Sequence, residues 1–147
     1  MTLRSHLALP ALVALAAMTM AVSACGGSAP PKPRVFFIEP QDGATVKSPV
    51  HLKFGIENYE LSPVPQGTVE TARPGMGHHH VGVDQDCLPA GTTIVKGTPS
   101  WVHFGDGKTE IDMQLPAGKH KLTLELGDDL HRTMEGMCTT ITVNVTE

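Results

Sequence analysis

Three stretches of the chain alternate apolar and polar residues with a period of two. Ile111, Met113 and Leu115 alternate with Glu110, Asp112 and Gln114. His120, Leu122, Leu124 and Leu126 hold one phase, while Lys119, Lys121, Thr123 and Glu125 hold the other. Ile141, Val143 and Val145 alternate with Thr140, Thr142 and Asn144. On a strand this pattern turns one face to the core and the other to water, which marks antiparallel pairing. The pattern predicts strands at 110–115, 120–126 and 139–145, and shorter apolar runs add 34–38, 50–56, 80–84 and 101–104. Turn signals separate them at Pro40-Gln41-Asp42-Gly43, Ser62-Pro63, Pro89-Ala90-Gly91, Gly105-Asp106-Gly107 and Pro116-Ala117-Gly118. No part of this region has the 3.6-residue period of an amphipathic helix. About seven short strands at this spacing predict an all-β fold, an immunoglobulin-like antiparallel β-sandwich over residues 34–147. Residues 57–77 and 127–138 break the rhythm and read as long polar loops, where small sandwiches place function. The paired acids Asp128 and Asp129 read as a solvated loop tip.

The N-terminus has a different character. Arg4 precedes an uncharged apolar stretch from Leu7 to Val22. It is short for a membrane span, which needs about 20 apolar residues, and has the flanks of a signal-peptide core. Val22-Ser23-Ala24-Cys25 resembles a lipobox, predicting a signal peptide over residues 1–24 and a lipid-bearing Cys25. Residues 25–33, rich in glycine and proline, read as a tether. With Gly26 after the cysteine, the expected location is the outer membrane, facing the periplasm, with lipid as the anchor.

The chain carries a formal charge of −4 with histidines neutral. Having no basic run, it is expected to bind neither nucleic acid nor anionic lipid by charge. Three cysteines are present. Once Cys25 is acylated, Cys87 and Cys138 remain, and in an exported protein an even pair predicts a disulfide. Two thiolate metal ligands are the alternative, without the support of a Cys-x-x-Cys spacing.

Histidine is the most informative residue type. Of the eight in the chain, seven fall between His51 and His131. In Gly77-His78-His79-His80-Val81-Gly82-Val83-Asp84, an extended backbone puts His79 on the face of Val81 and Val83, hence inward. His78 and His80 then face outward together with Gly82 and Asp84. Residues two apart on a strand lie roughly 6.5–7 Å apart at Cα, so both imidazoles can reach one ion. His103 has the same outward phase in Trp101-Val102-His103-Phe104, and His131 sits in a loop long enough to reach over. The candidate metal ligands are therefore His78, His80, His103 and His131, with copper or zinc as the ion. Asp84 is placed to give an oxygen ligand or to orient a ligating ring. Met76, Met134 and Met137 would tilt such a site towards copper. Because imidazole binds metal only when neutral, affinity should fall as pH drops through about 6.5. His120, in phase with three leucines, reads as a structural residue bonding a strand connection, and His51 as an ordinary strand residue. The opposing reading is that the histidine run merely packs the edge of the sandwich.

The ordered motifs resemble a known family. Phe36 to Pro40, Asp42-Gly43-Ala44-Thr45-Val46, Ser48-Pro49-Val50, Gly77-His78-His79-His80 and Val83-Asp84 look like its first half. His103-Phe104-Gly105-Asp106-Gly107-Lys108-Thr109-Glu110, Pro116-Ala117-Gly118-Lys119-His120, and Leu126-Gly127-Asp128 with His131 look like its second. The chain is similar over nearly all of Val35 to Val145 to the bacterial exported family called domain of unknown function 4399. The resemblance implies a small secreted or periplasmic β-domain, with His78, His79, His80, Asp84, His103, Gly105, His120, Asp128 and His131 matching its pattern. Cys87 and Cys138 depart from that pattern together, as a disulfide pair would.

Two functions follow. One is an envelope lipoprotein binding a transition metal without catalysis. The other is an interaction module that captures an envelope protein or glycan through its loops, with structural histidines. No His-Glu-x-x-His helix, nucleophile elbow or phosphate-cradling loop supports an enzyme.

Overall fold

Residues that alternate along a strand need a second layer to cover their apolar face, and the computed structural model, which describes residues 29–147, shows how this chain supplies it. Nine strands and no helix are present among the described residues. They are β1 (Arg34–Glu39), β2 (Thr45–Lys47), β3 (Val50–Glu57), β4 (Glu60–Leu61), β5 (Met76–Val83), β6 (Trp101–His103), β7 (Glu110–Met113), β8 (Gly118–Gly127) and β9 (Thr133–Thr146). One sheet has the order β1-β3-β7. The other has the order β2-β9-β8-β5-β4, with β6 also paired to β5. Of the six longer strands, the first, second and fourth (β1, β3 and β7) in one layer face the third and the last two (β5, β8 and β9) in the other, the partition of an immunoglobulin-like sandwich. Val35, Phe37, Leu52, Phe54 and Met113 of the small sheet meet Val81, Leu122, Leu124, Leu126, Ile141 and Val143 of the large one. For Met113, Val81, Leu122, Leu124, Leu126, Ile141 and Val143 these are the inward positions that the alternation assigns. Residues 31–147 form one compact unit. The expected signal peptide over residues 1–24, Cys25 and the first residues of the expected tether lie outside the described residues.

Several details differ from the sequence pattern. Two short strands, β2 and β4, were not predicted, and both pair in parallel, with β9 and β5 respectively. The chain reaches β2 by a turn at Asp42-Gly43, whose carboxylate and N–H bond Thr142 on β9, so β2 covers an edge of the second sheet. β5 begins at Met76 and β9 at Thr133, so the expected loop 127–138 shrinks to residues 128–132. Polar residues such as Thr133 and Glu135 mask the strand in the sequence, but backbone pairing with β8 carries it.

The predicted disulfide is formed: Cys87 and Cys138 are bonded, with Cα atoms 6.0 Å apart across a separation of 51 residues. It ties the connection after β5 onto β9. That connection is also pinned by hydrogen bonds from Ile94 N–H to the His131 carbonyl, 2.8 Å, and from Gly91 N–H to the Thr133 carbonyl, 2.9 Å.

Candidate metal centre

β5 lies between β8 on one side and β6 and β4 on the other, so neither of its edges meets water. Its inward face is as predicted. Val81 joins the core, and the His79 ring meets Phe54 edge-on at 5.4 Å between centroids. Burial lowers the pKa of His79 to about 4. Its ring nitrogens fall outside hydrogen-bonding geometry, although the Lys108 backbone is close enough to offset part of the burial cost.

The outward face departs from the alternation rule. It is covered, and His78 and His80 have no exposed surface at all. His103 on β6 stands opposite His80 in the register, and the loop 128–132 brings His131 over both. Trp101, also on the outward phase, is buried against Gly82, where an added Cβ would sit 3.0 Å from the indole. Residues 62–66 run along the far side, with Val64 N–H donating to the Gly105 carbonyl at 3.0 Å. Long connections folding back over the sheet convert the expected wet face into a second, smaller interior.

Within it the four predicted ligands converge. Their candidate ligand nitrogens all lie within 4.8 Å of one another. Ring centroids are 4.6 Å apart for His78 and His80, 4.7 Å for His103 and His131, and 5.5 Å for His80 and His131. His103 Nε2 and His131 Nε2 approach to 3.0 Å. Both ring nitrogens of His78 and of His80 are buried without a hydrogen-bond partner. Leaving a buried polar atom unpaired costs about 1–3 kcal/mol. Two adjacent rings in this state, facing two more imidazoles, make a donor set suited to an electron-pair acceptor.

Glycines make room for the rings. A Cβ on Gly127 would lie 2.7 Å from His80 Cε1, and one on Gly105 would lie 2.3 Å from His103 Cε1. Gly105 belongs to the turn after β6, and Gly127 ends β8 opposite His78. His131 sits at φ 62°, a left-handed conformation that costs a non-glycine residue about 1–2 kcal/mol. The loop holds it there. The Asp128 carboxylate accepts the N–H groups of Leu130 and Arg132 at 2.8 and 2.9 Å, and Arg132 Nε at 2.9 Å.

Burial keeps the four imidazoles uncharged. Desolvation, followed by repulsion from His103 and His131, lowers the His78 pKa to about 3. Desolvation, followed by repulsion from the other three imidazoles, takes His80 to about 2. His103 and His131 are lowered too, first by burial. Asp128 and Asp129 are the acidic groups that act on His78 in the opposite sense.

Asp128 and Asp129 are not a solvated tip. Both are buried, at 9% and 2% exposure. Asp129 accepts three hydrogen bonds from Arg73, from its backbone N–H and two guanidinium nitrogens, at 2.8–2.9 Å. These hold its pKa at about 2. Their partner arginine lies 56 residues away, which no local pattern reveals.

Asp84 is occupied elsewhere. It lies beyond the other end of β5, where its carboxylate meets His120 Nδ1 and the Lys121 N–H, each at 3.0 Å. His120 also places Nε2 3.1 Å from the Pro116 carbonyl, the structural role expected of it. His51 is exposed and pairs with Asp112. Met134 Sδ accepts the Tyr59 hydroxyl at 3.0 Å, and Met137 is in the core. Met76 shares the face of His78.

One residue escaped the sequence reading. Glu125, placed on the wet phase of β8, stands opposite His80 on one side and Cys138 on the other, and is 1% exposed. Its carboxylate accepts the Leu88 N–H at 3.2 Å. Burial pushes its pKa up to about 7, against the pull of that N–H.

The fold and site thus define an immunoglobulin-like sandwich with a tetrad of imidazoles, two buried and two half-buried, on the outer face of one sheet. Over residues 52–146 the chain matches the family described as Domain of unknown function (DUF4399), and it belongs to that family. No curated protein and no solved structure matches it.

Proposed function

We propose that this chain is a lipid-anchored envelope protein that binds one transition-metal ion, copper or zinc, through His78, His80, His103 and His131, without catalysing a reaction. The observation that carries the reading is the convergence of four imidazoles, two of them wholly buried with every ring nitrogen unpartnered. Packing alone would favour apolar residues there, since a buried amide or imidazole without a partner is unfavourable. A metal ion supplies the missing partner.

Isothermal titration of tag-free protein with Zn²⁺ and Cu²⁺, and with Cu⁺ under reductant, tests this. The His78→Ala/His80→Ala double variant should lose affinity beyond the roughly 10–100-fold that removal of an outer partner costs. Equal uptake by the variant and the wild type would end the metal reading. Affinity should hold to lower pH than the 6.5 of a free imidazole, because burial already keeps these rings neutral. The anchor is tested separately: Cys25→Ser should abolish labelling by a fatty-acid probe, and persistent labelling would refute lipidation at that residue.

A further inference from the structure

We infer that the ion is Zn²⁺, held tetrahedrally by all four imidazoles with no coordination position left for water or substrate. The inference rests on the metal-binding reading above and concerns the identity and geometry of the ion. A zinc–imidazole bond of about 2.0–2.1 Å sets each ring centroid about 3.2 Å from the metal. Four rings at the corners of a tetrahedron then stand about 5.2 Å apart in every pairing. A square plane would instead put four pairs at about 4.5 Å and two trans pairs, sharing no ring, at about 6.4 Å.

The six separations in the protein are 4.6, 4.7, 4.8, 4.9, 5.2 and 5.5 Å. Trans pairs must come as two pairs that share no ring. The widest such sets are 4.8 with 5.5 Å, for His78–His103 and His80–His131, and 4.9 with 5.2 Å, for His78–His131 and His80–His103. Neither approaches the trans separation of about 6.4 Å, and the six range continuously from 4.6 to 5.5 Å instead of splitting into four short and two long pairs, as a somewhat contracted tetrahedron requires.

The supports resist flattening. His78 and His80 are fixed on the central strand β5, His103 on β6 and His131 on the loop that Asp128 ties down. Gly105 and Gly127 let the rings of His103 and His80 lie directly against their backbone.

Cupric and nickel ions favour tetragonal or square-planar nitrogen sites, whereas zinc takes a tetrahedron without electronic cost. Cuprous ion prefers soft sulfur. Here Met134 is engaged by Tyr59, Met137 is in the core, and the four rings close the shell without Met76. Four protein ligands make a closed site of the kind that holds an ion, in contrast to the three-ligand sites that activate water. The ion would lock β6 and the 128–132 loop onto β5.

Cobalt substitution of the full, tag-free chain tests the geometry. Co²⁺ should give the intense visible bands of a four-coordinate ion, bleached by one equivalent of Zn²⁺. Bound Cu²⁺ should show the small parallel hyperfine splitting of a tetrahedrally distorted site in its paramagnetic resonance spectrum. Protein isolated from the envelope should carry zinc at one ion per chain. The faint bands of six-coordinate Co²⁺, a tetragonal Cu²⁺ spectrum, or copper as the resident ion would overturn the inference while leaving metal binding intact. Failure to take up any of these ions would overturn the metal reading itself.

Discussion

Lowering the pH of the metal-free protein from 7 to 5 should destabilise it by about 3 kcal/mol or more. His78, His79 and His80 are wholly buried, and their pKa values fall from 6.5 to about 3, 4 and 2, first through desolvation. A folded value below the unfolded one means stability that is complete above pH 6.5 and lost as pH falls. At pH 5 the unfolded chain has protonated these imidazoles and the folded chain has not. Each therefore costs about 2 kcal/mol, from a gap of about 1.5 pH units, and three cost about 6. The sum does not depend on how far below 5 the folded values lie. His103 and His131, also lowered, add to it. Glu125 acts in the opposite direction. Its folded value of about 7 exceeds the unfolded 4.5, so the fold gains a proton over this interval and recovers at most about 3 kcal/mol. The net loss is a large share of the roughly 5–15 kcal/mol that holds a domain together. Urea unfolding at both pH values, followed by the fluorescence of the single, buried Trp101, measures it. Glu125→Gln keeps an acceptor for the Leu88 N–H and removes the opposing titration, so the loss should widen to about 6 kcal/mol. Equal stability of the wild type at pH 7 and pH 5 would refute the reasoning.

Other perturbations separate the supports of the site. Reducing Cys87–Cys138 frees a span of 51 residues and should cost up to about 4 kcal/mol on the loop-entropy model, read as a lower melting temperature. Alkylation without reductant should leave the intact mass unchanged, and free thiols would contradict the bond. Gly127→Ala drives a methyl group to 2.7 Å from His80. It should cost about 1–3 kcal/mol and weaken metal binding, whereas unchanged affinity would show that the His80 ring can move freely. Arg73→Ala strands the buried Asp129 carboxylate and should cost about 2–3 kcal/mol, below the usual range for a broken buried pair because Arg73 is itself 39% exposed. Faster proteolysis within residues 62–75 is the accompanying sign, and wild-type resistance would show that this connection is held by other contacts.

The sequence by itself determined the strands whose alternation is strong. β7, β8 and the last half of β9 put Met113, Leu122, Leu124, Ile141 and Val143 into the core as their period requires. The same period placed His78 and His80 on one face of β5 and His79 on the other, and the phase of Trp101-Val102-His103 brought His103 to that face. Local geometry sufficed because side-chain direction on a strand depends only on residue parity. Whether a face is wet is a different question, since it depends on what folds over it. The connections at residues 62–75, 84–100 and 128–132 cover the outer face of β5, and this buries Glu125 and Trp101 and leaves the His78 and His80 rings without solvent partners. Arg73 reaches Asp129, and Cys87 reaches Cys138, across more than fifty residues. Of these two contacts only the disulfide left a trace in the sequence, because covalent pairing needs matched cysteines whereas an ion pair draws on charges found everywhere along the chain. The convergence of the four imidazoles belongs to both levels. Parity aims three rings at one side of a sheet, and only the closure of a loop, held by buried carboxylates, brings the fourth beside them.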